Sequence, residues 1–262
     1  MSDPTVIVTG ASRGLGAAVA RLAGQLGANV VLMARTEGSL AAVAREIEDG
    51  GGQALAVAGD VSQPDDCQQV IDRTIERFGG IDGLVNNAGI LEPIGPVAEA
   101  EPEAWHRSWA VNVLGPVMMC RSALPHLRAS KGRVINVSSG AAVNAVEGWG
   151  AYCLSKAALN HLTRMLAAEE PELTAISCRP GVVDTRMQET IRQRGPKGMP
   201  QDEYERFVSY HEEGELLPPE VPGLALAVLA LYARHEWTGQ FMSWDHEGIQ
   251  SLVRRYASST AA

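Results

Sequence analysis

Two ionisable side chains, Tyr152 and Lys156, stand four residues apart in a stretch of good helix formers, GWGAYCLSKAALNH at 148–161. On a helix, such an i, i+4 pair lies on one face. A neighbouring ammonium group favours the phenolate, and this lowers the pKa of the phenol from its usual value of about 10. The pair is therefore a candidate for proton transfer near neutral pH, the alternative being a solvated surface pair.

A glycine-rich turn after the first apolar run of the chain could bind phosphate. The segment TGASRGLG places Gly10, Gly14 and Gly16 between a predicted strand and a predicted helix. Glycine lets the backbone approach a pyrophosphate closely, and the helix N-terminus that follows favours negative charge. The spacing GxxxGxG differs from the commoner GxGxxG, but the physical requirement is the same. The turn predicts a dinucleotide site.

The end of the second predicted strand indicates which dinucleotide would bind. Sites for NAD usually carry an acidic residue there, which binds the ribose 2′-hydroxyl. Here the strand ends on Ala34, Arg35 follows, and a carboxylate comes only at Glu37. Arg13 in the glycine turn is a second cation, and two guanidinium groups can hold a 2′-phosphate. We therefore expect NADP(H), unless both arginines are ordinary surface residues.

Short apolar runs that alternate with helical patterns must position these groups. The strand candidates are apolar almost throughout, as in a parallel sheet covered on both faces. They span residues 5–9, 29–34, 53–58, 82–87, 132–138, 174–179 and 240–243. The helical patterns between them predict an α/β fold with a doubly wound, mostly parallel, seven-stranded sheet and helices on both faces. No linker divides residues 1–262, so we expect one domain.

The least regular part of the sequence, residues 186–220, lies between the last two predicted strands. It contains the segments RQRGPKGMPQDEYERF and EGELLPPEVPG, which are rich in glycine, proline and charge. This excursion could be a mobile substrate lid, and the alternative is a plain helical excursion.

Composition limits the class of protein and its compartment. The 262 residues carry a net charge of −9, and 45% of them are hydrophobic. The acidic balance argues against nucleic-acid binding, whose usual mark is a basic patch. The cysteines have neither zinc spacing nor a CxxC motif, so we expect reduced thiols, no metal site and a cytoplasmic protein. The sequence shows no signal-peptide pattern and no apolar run of membrane length, so no membrane partner is expected.

Seven short motifs, in their order and spacing, resemble the short-chain dehydrogenase/reductase family over essentially the whole chain. They are TGASRGLG (9–16), GDVS (59–62), NNAG (86–89), VN (111–112), VSSG (137–140), YCLSK (152–156) and RPGVVDT (179–185). Three longer segments, NNAGILEP, WGAYCLSKAALNH and PGVVDTRMQ, further resemble the sepiapterin-reductase-like branch, which includes benzil and diketone reductases. The resemblance implies a Rossmann-type fold, a homodimer or homotetramer, and hydride transfer between a nicotinamide cofactor and a carbonyl carbon.

The resemblance also implies roles for four polar residues. Tyr152 would protonate the carbonyl oxygen, while Lys156 tunes the phenol and binds the nicotinamide ribose. Ser139, thirteen residues before the tyrosine, would orient the substrate oxygen in preference to the adjacent Ser138. Asn112 would hold a water in the proton path to Lys156, or else only bend its helix. The cofactor would supply the hydride, and the protein would supply position and a proton.

A wider set of cofactor contacts follows from the same resemblance. The set is Gly10, Ser12, Arg13, Gly14, Leu15, Gly16, Arg35, Asp60, Val61, Asn87, Ala88, Gly89, Tyr152, Lys156, Pro180, Gly181, Val183 and Thr185. Asp60 would take the adenine amino group, with the Val61 backbone on the ring. Pro180 and Gly181 would turn under the nicotinamide, and Thr185 would fix its carboxamide or the pyrophosphate.

The substrate pocket is the part that the sequence determines least. By position, the residues around the reacting carbon would be Ser139, Val146, Trp149, Tyr152, Val182 and Met187. Trp149 beside Tyr152 suggests an aromatic wall, to which Tyr204 or Phe207 could add. Such a pocket suits a small-molecule ketone or 1,2-diketone better than a pterin, whose amino group would require a carboxylate. We therefore expect an NADPH-dependent carbonyl reductase.

Two other functions remain open from the sequence. A catalytically idle NADP(H)-binding sensor or scaffold would keep the glycine turn but would be free to lose the proton relay, whose four residues are all present here. An alcohol dehydrogenase of the same family, working in the oxidative direction, would use the same residues. Arg13 and Arg35 disfavour this second alternative, because cells keep NADP mostly reduced.

Overall fold

A sheet of seven parallel strands forms the centre of residues 3–257, the part of the chain that this computed structural model describes. The strands are β1 (Thr5–Thr9), β2 (Asn29–Ala34), β3 (Gln53–Ala58), β4 (Gly83–Asn86), β5 (Arg133–Val137), β6 (Thr174–Arg179) and β7 (Phe241–Ser243). Their order is β3-β2-β1-β4-β5-β6-β7, and every neighbouring pair is parallel. The chain reverses its direction of winding between β1 and β4, where an open α/β sheet leaves a crevice beyond its carboxyl ends.

Helices cover both faces of the sheet, as a parallel sheet requires. They are α1 (Gly14–Gln25), α2 (Glu37–Asp49), α3 (Pro64–Phe78), α4 (Pro102–Trp109), α5 (Gly115–Ser130), α6 (Gly150–Glu169), α7 (Arg186–Gly198), α8 (Gln201–Glu212), α9 (Glu220–Tyr232) and α10 (Glu247–Ala257). One apolar cluster packs α1, α2, α9 and α10 on one face, and a second packs α3, α5 and α6 on the other. Along β1, Val6 and Val8 face the first cluster and Ile7 the second. The predicted doubly wound α/β fold is confirmed, and the sheet is parallel throughout the described residues.

Three predicted strands are shorter in the structure than the sequence pattern suggested. The predicted spans 82–87 and 132–138 lose one residue at each end to become β4 and β5, and 240–243 loses its first residue to become β7. At the end of β4, the backbone N–H of Asn87 donates to the hydroxyl of Thr9 instead of to a neighbouring strand. This polar contact limits β4, and an apolar pattern does not reveal it.

A π-helical turn interrupts the helical stretch between β4 and β5. Residues 110–114 form this turn between α4 and α5. Pro116 has no N–H to donate to the carbonyl of Asn112, four residues earlier, and this favours the wider turn. The turn directs Asn112 inward, with 1% of its surface exposed.

The excursion at 186–220 is a helical hairpin rather than an irregular loop over most of its length. Pro196 lies inside α7 and cannot donate to the carbonyl of Arg192. The phenol of Tyr204 donates to that carbonyl instead, at 3.2 Å. Gly195 admits the Tyr204 ring, since a Cβ there would lie 2.7 Å from it. A contact between α7 and α8 thus stabilises the helix around Pro196. A lid function for the hairpin stays a prediction.

Candidate active site

The glycine turn joins β1 to α1 at the crevice and forms a cradle in which no side chain fits. A Cβ on Gly10 would lie 2.9 Å from the Cα of Ala88, and a Cβ on Gly16 only 2.4 Å from the carbonyl oxygen of Gly10. Gly10 and Gly14 also have positive φ angles of 66° and 53°, a conformation that glycine adopts without strain. The backbone of the cradle therefore packs closely on itself and on the loop after β4, at the start of α1.

Asn87 and Ala88, two expected cofactor contacts, hold this cradle in place. The hydroxyl of Thr9 accepts the backbone N–H groups of both residues at 3.0 Å. The side-chain amide of Asn87 donates to the Thr9 carbonyl at 2.8 Å. In the first turn of α1, which begins at Gly14, no acidic residue and no side-chain cap competes for the backbone N–H groups. These groups remain available to an anion.

Two cationic side chains, Arg35 and Arg107, lie near Asp60 at the carboxyl ends of β2 and β3. Arg13 and Arg35 are both exposed. Burial raises the pKa of Asp60, but hydrogen bonds from Ser62 and the charges of Arg107 and Arg35 bring it below its usual value. Arg35 is therefore close enough to Asp60 to act on its charge. The sequence did not single out Arg107.

Tyr152 and Lys156 lie on one face of α6, and that face is buried. Only 6% and 4% of their surfaces are exposed, so a solvated surface pair is excluded. The Lys156 ammonium lies 5.5 Å from the centroid of the Tyr152 ring and donates to the Val137 carbonyl at 2.7 Å. This last bond fixes the lysine against the end of β5.

The two serines that follow β5 have different surroundings. The Ser138 hydroxyl donates to the side-chain oxygen of Asn160 at 2.7 Å and is buried. The Ser139 hydroxyl accepts the backbone N–H of Ala141 at 3.2 Å and is near enough to the Tyr152 phenol to act on its pKa. The structure thus brings Ser139, and not Ser138, to the phenol.

Asn112 connects the loop after β4 to α6. Its side-chain oxygen accepts the Ile90 N–H at 2.8 Å, and its nitrogen donates to the Ile90 carbonyl at 2.8 Å and to the Ser155 hydroxyl at 3.1 Å. Gly89 passes close by, since a Cβ there would lie 3.4 Å from the Asn112 oxygen and 3.6 Å from the Lys156 nitrogen. These contacts show a positioning role for the amide, and its part in a water path stays a prediction.

Burial shifts the pKa values of the tyrosine and the lysine in opposite directions. Burial raises the pKa of Tyr152 to about 12, although the hydrogen bond with Ser139 acts against the rise. Burial also lowers the pKa of Lys156 to about 8. The net pKa of the phenol is thus raised in the chain by itself, because burial disfavours the charged phenolate. That Lys156 tunes the phenol stays a prediction. The phenol is protonated at neutral pH.

An aromatic wall stands beside the phenol. The Trp149 ring meets the Tyr152 ring edge-on at 5.9 Å and stacks on Phe207 of α8 at 4.6 Å. The Trp149 indole N–H donates to the Met199 sulfur at 3.3 Å. The α7–α8 hairpin thus contributes directly to the surroundings of Tyr152.

Most of the predicted substrate residues share this apolar cluster, together with others that the sequence did not indicate. Val146, Trp149, Tyr152 and Met187 belong to it, whereas Val182 is not among its described members. The residues that sequence reasoning missed are Leu91, Ile94, Ala141, Cys153, Ile191, Met199 and Tyr210. They come from loops and helices far apart in the chain, and nothing in their local pattern distinguishes them from ordinary core residues.

The turn after β6 closes the crevice from the other side. Thr185 lies against the glycine turn, with its methyl group 3.2 Å from the position of a Cβ on Gly14. Gly181 has a φ angle of 80°, and Val183 pairs with Leu217 behind it. The expected contacts for the nicotinamide and the pyrophosphate therefore meet at one place.

Within residues 3–257, no group of three or more histidine, cysteine or acidic side chains could hold a metal ion. No helix in the same range is long and apolar enough to cross a membrane.

Comparison with known proteins places this geometry in a family. The short chain dehydrogenase model matches residues 4–195. A benzil reductase of Saccharomyces cerevisiae, described as (S)-benzoin forming, is 35% identical, with 93% of this chain and 97% of that protein covered. The solved structure of the KRED1-Pglu enzyme has a TM-score of 0.88 at 41% identity, and covers 91% of this chain and 99% of its own. L-sorbose reductase from Gluconobacter frateurii, solved with NADPH and L-sorbose, has a TM-score of 0.82 at 26% identity, with 93% and 95% covered. The chain belongs to the short-chain dehydrogenase/reductase family and is an oxidoreductase of that type.

Proposed function

We propose that the chain is an NADPH-dependent carbonyl reductase that converts a bulky ketone or 1,2-diketone to a secondary alcohol. The observation that carries this proposal is the meeting of two features at one crevice. A buried phenol, Tyr152, stands with Lys156 and Ser139 at the carboxyl ends of the strands, beside an apolar wall. The glycine cradle lies at the same ends of the strands, packed against Ala88 and Thr185.

The residues of the crevice fit a nicotinamide dinucleotide phosphate. The N-terminus of α1, which has no side-chain cap and no acidic residue in its first turn, would bind the pyrophosphate and favours its charge. Arg13 and Arg35 would hold the 2′-phosphate, Asp60 the adenine amino group, and Lys156 the nicotinamide ribose. L-sorbose reductase, a structural relative, was solved in complex with NADPH, and this supports NADP(H) rather than NAD(H) as the cofactor. When bound, the cofactor supplies the hydride.

The protein groups supply orientation and a proton. The hydroxyl groups of Ser139 and Tyr152 would both hydrogen-bond the carbonyl oxygen and stabilise the negative charge that develops there. Tyr152 then transfers its proton to that oxygen while the carbonyl carbon accepts the hydride, which completes the alcohol. The charge of Lys156 stabilises the phenolate that remains.

The pKa of Tyr152 favours the reductive direction over the oxidative alternative. With a pKa of about 12, the phenol carries its proton at neutral pH and is ready to donate it. Oxidation of an alcohol would require the same group to start as a base, and burial disfavours that charged form.

The pocket wall supports a bulky, apolar substrate. Trp149, Phe207 and Met199 form a continuous surface beside Tyr152. Aromatic rings recognise other rings by stacking and edge-on contacts. Since one relative is a benzil reductase, benzil is the first compound that we would test.

Self-association is part of the same proposal. Four apolar side chains on the adjacent helices α4 to α6 are exposed, namely Trp109, Leu114, Leu154 and Met165. An exposed apolar surface of this kind marks a contact with another protein. We propose that two copies of the chain cover it, in a homodimer or homotetramer.

The experiment that tests the function is a cofactor-oxidation assay with a small panel of ketones. The panel contains benzil, an aliphatic 1,2-diketone, sepiapterin and a simple aryl ketone, each with NADPH and with NADH. We expect turnover of benzil with NADPH and much slower turnover with NADH. Tight NADPH binding without turnover of any ketone would instead support the sensor or scaffold function.

A further inference from the structure

Arg107 on α4 forms an ion pair at the adenine end of the crevice. Its Nη2 atom lies 3.3 Å from Oδ2 of Asp60. The side chain of Arg107 is 48% exposed and that of Asp60 is 19% exposed. An ion pair with one partner this exposed contributes at most about 1 kcal/mol to folding. The ion pair between Arg107 and Asp60 therefore contributes little to the stability of the fold.

The Asp60 carboxylate is held by other groups as well. Its Oδ1 atom accepts the backbone N–H and the hydroxyl of Ser62, at 2.9 and 2.7 Å. The Asp60 backbone N–H donates to the carboxylate of Asp66 at 2.7 Å. An ionised carboxylate accepts about four hydrogen bonds. Ser62 uses two of these sites and Arg107 a third, so one acceptor site remains, on Oδ2.

The helix that carries Arg107 lies next to the expected position of the adenine ring. Val111, in the π-helical turn that follows α4, belongs to the same apolar cluster as Val61. Gly115 approaches Val61 so closely that a Cβ there would lie 3.0 Å from it. Since Val61 is the residue expected against the ring, the stretch that carries Arg107 lies beside that subsite.

We infer that Arg107 is a positioning residue for adenine recognition, because it orients the Asp60 carboxylate so that Oδ2 can accept the adenine amino group. This inference rests on the proposed binding of NADP(H). Arg107 acts through Asp60 and binds no phosphate. The 2′-phosphate would be bound by Arg13 and Arg35 instead.

The test uses three nucleotides that separate recognition of the amino group from recognition of the phosphate. They are NADPH, NADH and deamino-NADPH, in which hypoxanthine replaces adenine and a carbonyl oxygen replaces the amino group. Their dissociation constants are measured by titration calorimetry on the full chain. Wild type should bind deamino-NADPH about tenfold more weakly than NADPH, as expected for the loss of one hydrogen bond to a charged group.

Arg107→Ala should weaken NADPH and NADH about tenfold each and leave deamino-NADPH within about twofold of wild type. Arg107→Lys keeps the positive charge but lacks the planar guanidinium group. Its affinity for NADPH should therefore lie between those of Arg107→Ala and wild type. In an Asp60→Asn background, Arg107→Ala should have no further effect, because the two residues act as one unit. The melting temperature of each variant is recorded to show that it is folded.

A matched control is Arg73→Ala, which removes another exposed arginine with a carboxylate partner, Glu76. This variant should bind all three nucleotides like wild type. Four results would overturn the inference. Wild type could bind deamino-NADPH as tightly as NADPH, or Arg107→Ala could leave all three affinities unchanged. Arg107→Ala could also weaken all three equally, which would indicate a general electrostatic effect, or weaken only the two 2′-phosphorylated nucleotides, which would make Arg107 a phosphate ligand. If wild type binds none of the three, it is the proposed function that fails.

Discussion

The indole of Trp149 stacks on the ring of Phe207 at a centroid distance of 4.6 Å, and this contact joins the start of α6 to the α7–α8 hairpin. Trp149 immediately precedes α6 and also meets the Tyr152 ring edge-on at 5.9 Å. Trp149 thus links the hairpin to the phenol. The surroundings of the phenol therefore depend on the 186–220 segment, which the sequence could not assign to either a substrate lid or a plain helical excursion.

Replacement of Phe207 should affect large substrates selectively. We expect Phe207→Ala to lower kcat/KM for benzil about tenfold, the size of effect that loss of an aromatic contact produces. An aliphatic 1,2-diketone, which does not reach the wall, should lose less than about threefold. Phe207→Leu, which keeps an apolar side chain there, is the control and should retain most of the activity with benzil. Equal losses with both substrates would show that Phe207 does not select for size.

Charge reversal at Arg35 should change the preference between the two cofactors. Arg35→Asp places a carboxylate where we propose a 2′-phosphate, so it should raise the KM for NADPH by about 10²-fold and that for NADH by far less. Arg45→Asp makes the same change at an exposed position on α2 and serves as the control. If the preference is unchanged in Arg35→Asp, the phosphate binds elsewhere.

The fold was largely predictable because its signals are local. The strands β1, β2, β3 and β6 have the predicted bounds, since buried parallel strands are short apolar runs. The spacing of Tyr152 and Lys156 placed them on one helical face, and the structure has them there. Such features depend on neighbours in the sequence and need no knowledge of the tertiary structure.

The parts that could not be predicted depend on contacts between distant segments. The helix around Pro196 is supported by a bond from Tyr204. The pKa of Tyr152 depends on how completely the surrounding loops bury it, and a sequence does not give that degree of burial. Arg107 meets Asp60 across 47 residues, and no local motif marks the pair.

Loss of the Asn112 amide should cost stability. Asn112→Ala leaves the N–H and the carbonyl of Ile90 without their partner, so we expect the free energy of unfolding to fall by about 2–4 kcal/mol. Urea unfolding measures this difference. Asn144→Ala is the control, since Asn144 is exposed and its amide donates only to the Gly140 carbonyl, and it should change stability by less than about 0.5 kcal/mol. An Asn112→Ala protein as stable as wild type would contradict the positioning role.

The buried lysine should make stability depend on pH. Lys156 has a pKa lowered from 10.5 to about 8, so between these values the folded state binds fewer protons than the unfolded state. The contribution of Lys156 to the free energy of unfolding should therefore rise with pH over this interval, whereas the buried thiols of Cys67, Cys120 and Cys178, whose pKa values are raised, contribute in the opposite direction. Relative to Lys156→Met, which cannot titrate, the gain should reach about 3 kcal/mol at most. Parallel stability profiles of the two proteins from pH 7 to pH 10.5 would show that burial does not shift this pKa.

The central claim is that Tyr152 donates the proton in an NADPH-dependent reduction, and Tyr152→Phe tests it most directly. The variant removes one oxygen and keeps the ring that packs against Trp149. We predict that its dissociation constant for NADPH stays within about twofold of wild type, while kcat for benzil falls by about 10²- to 10⁴-fold, the range for loss of a general acid. A variant that binds NADPH normally and still reduces benzil at a rate close to that of wild type would contradict the account.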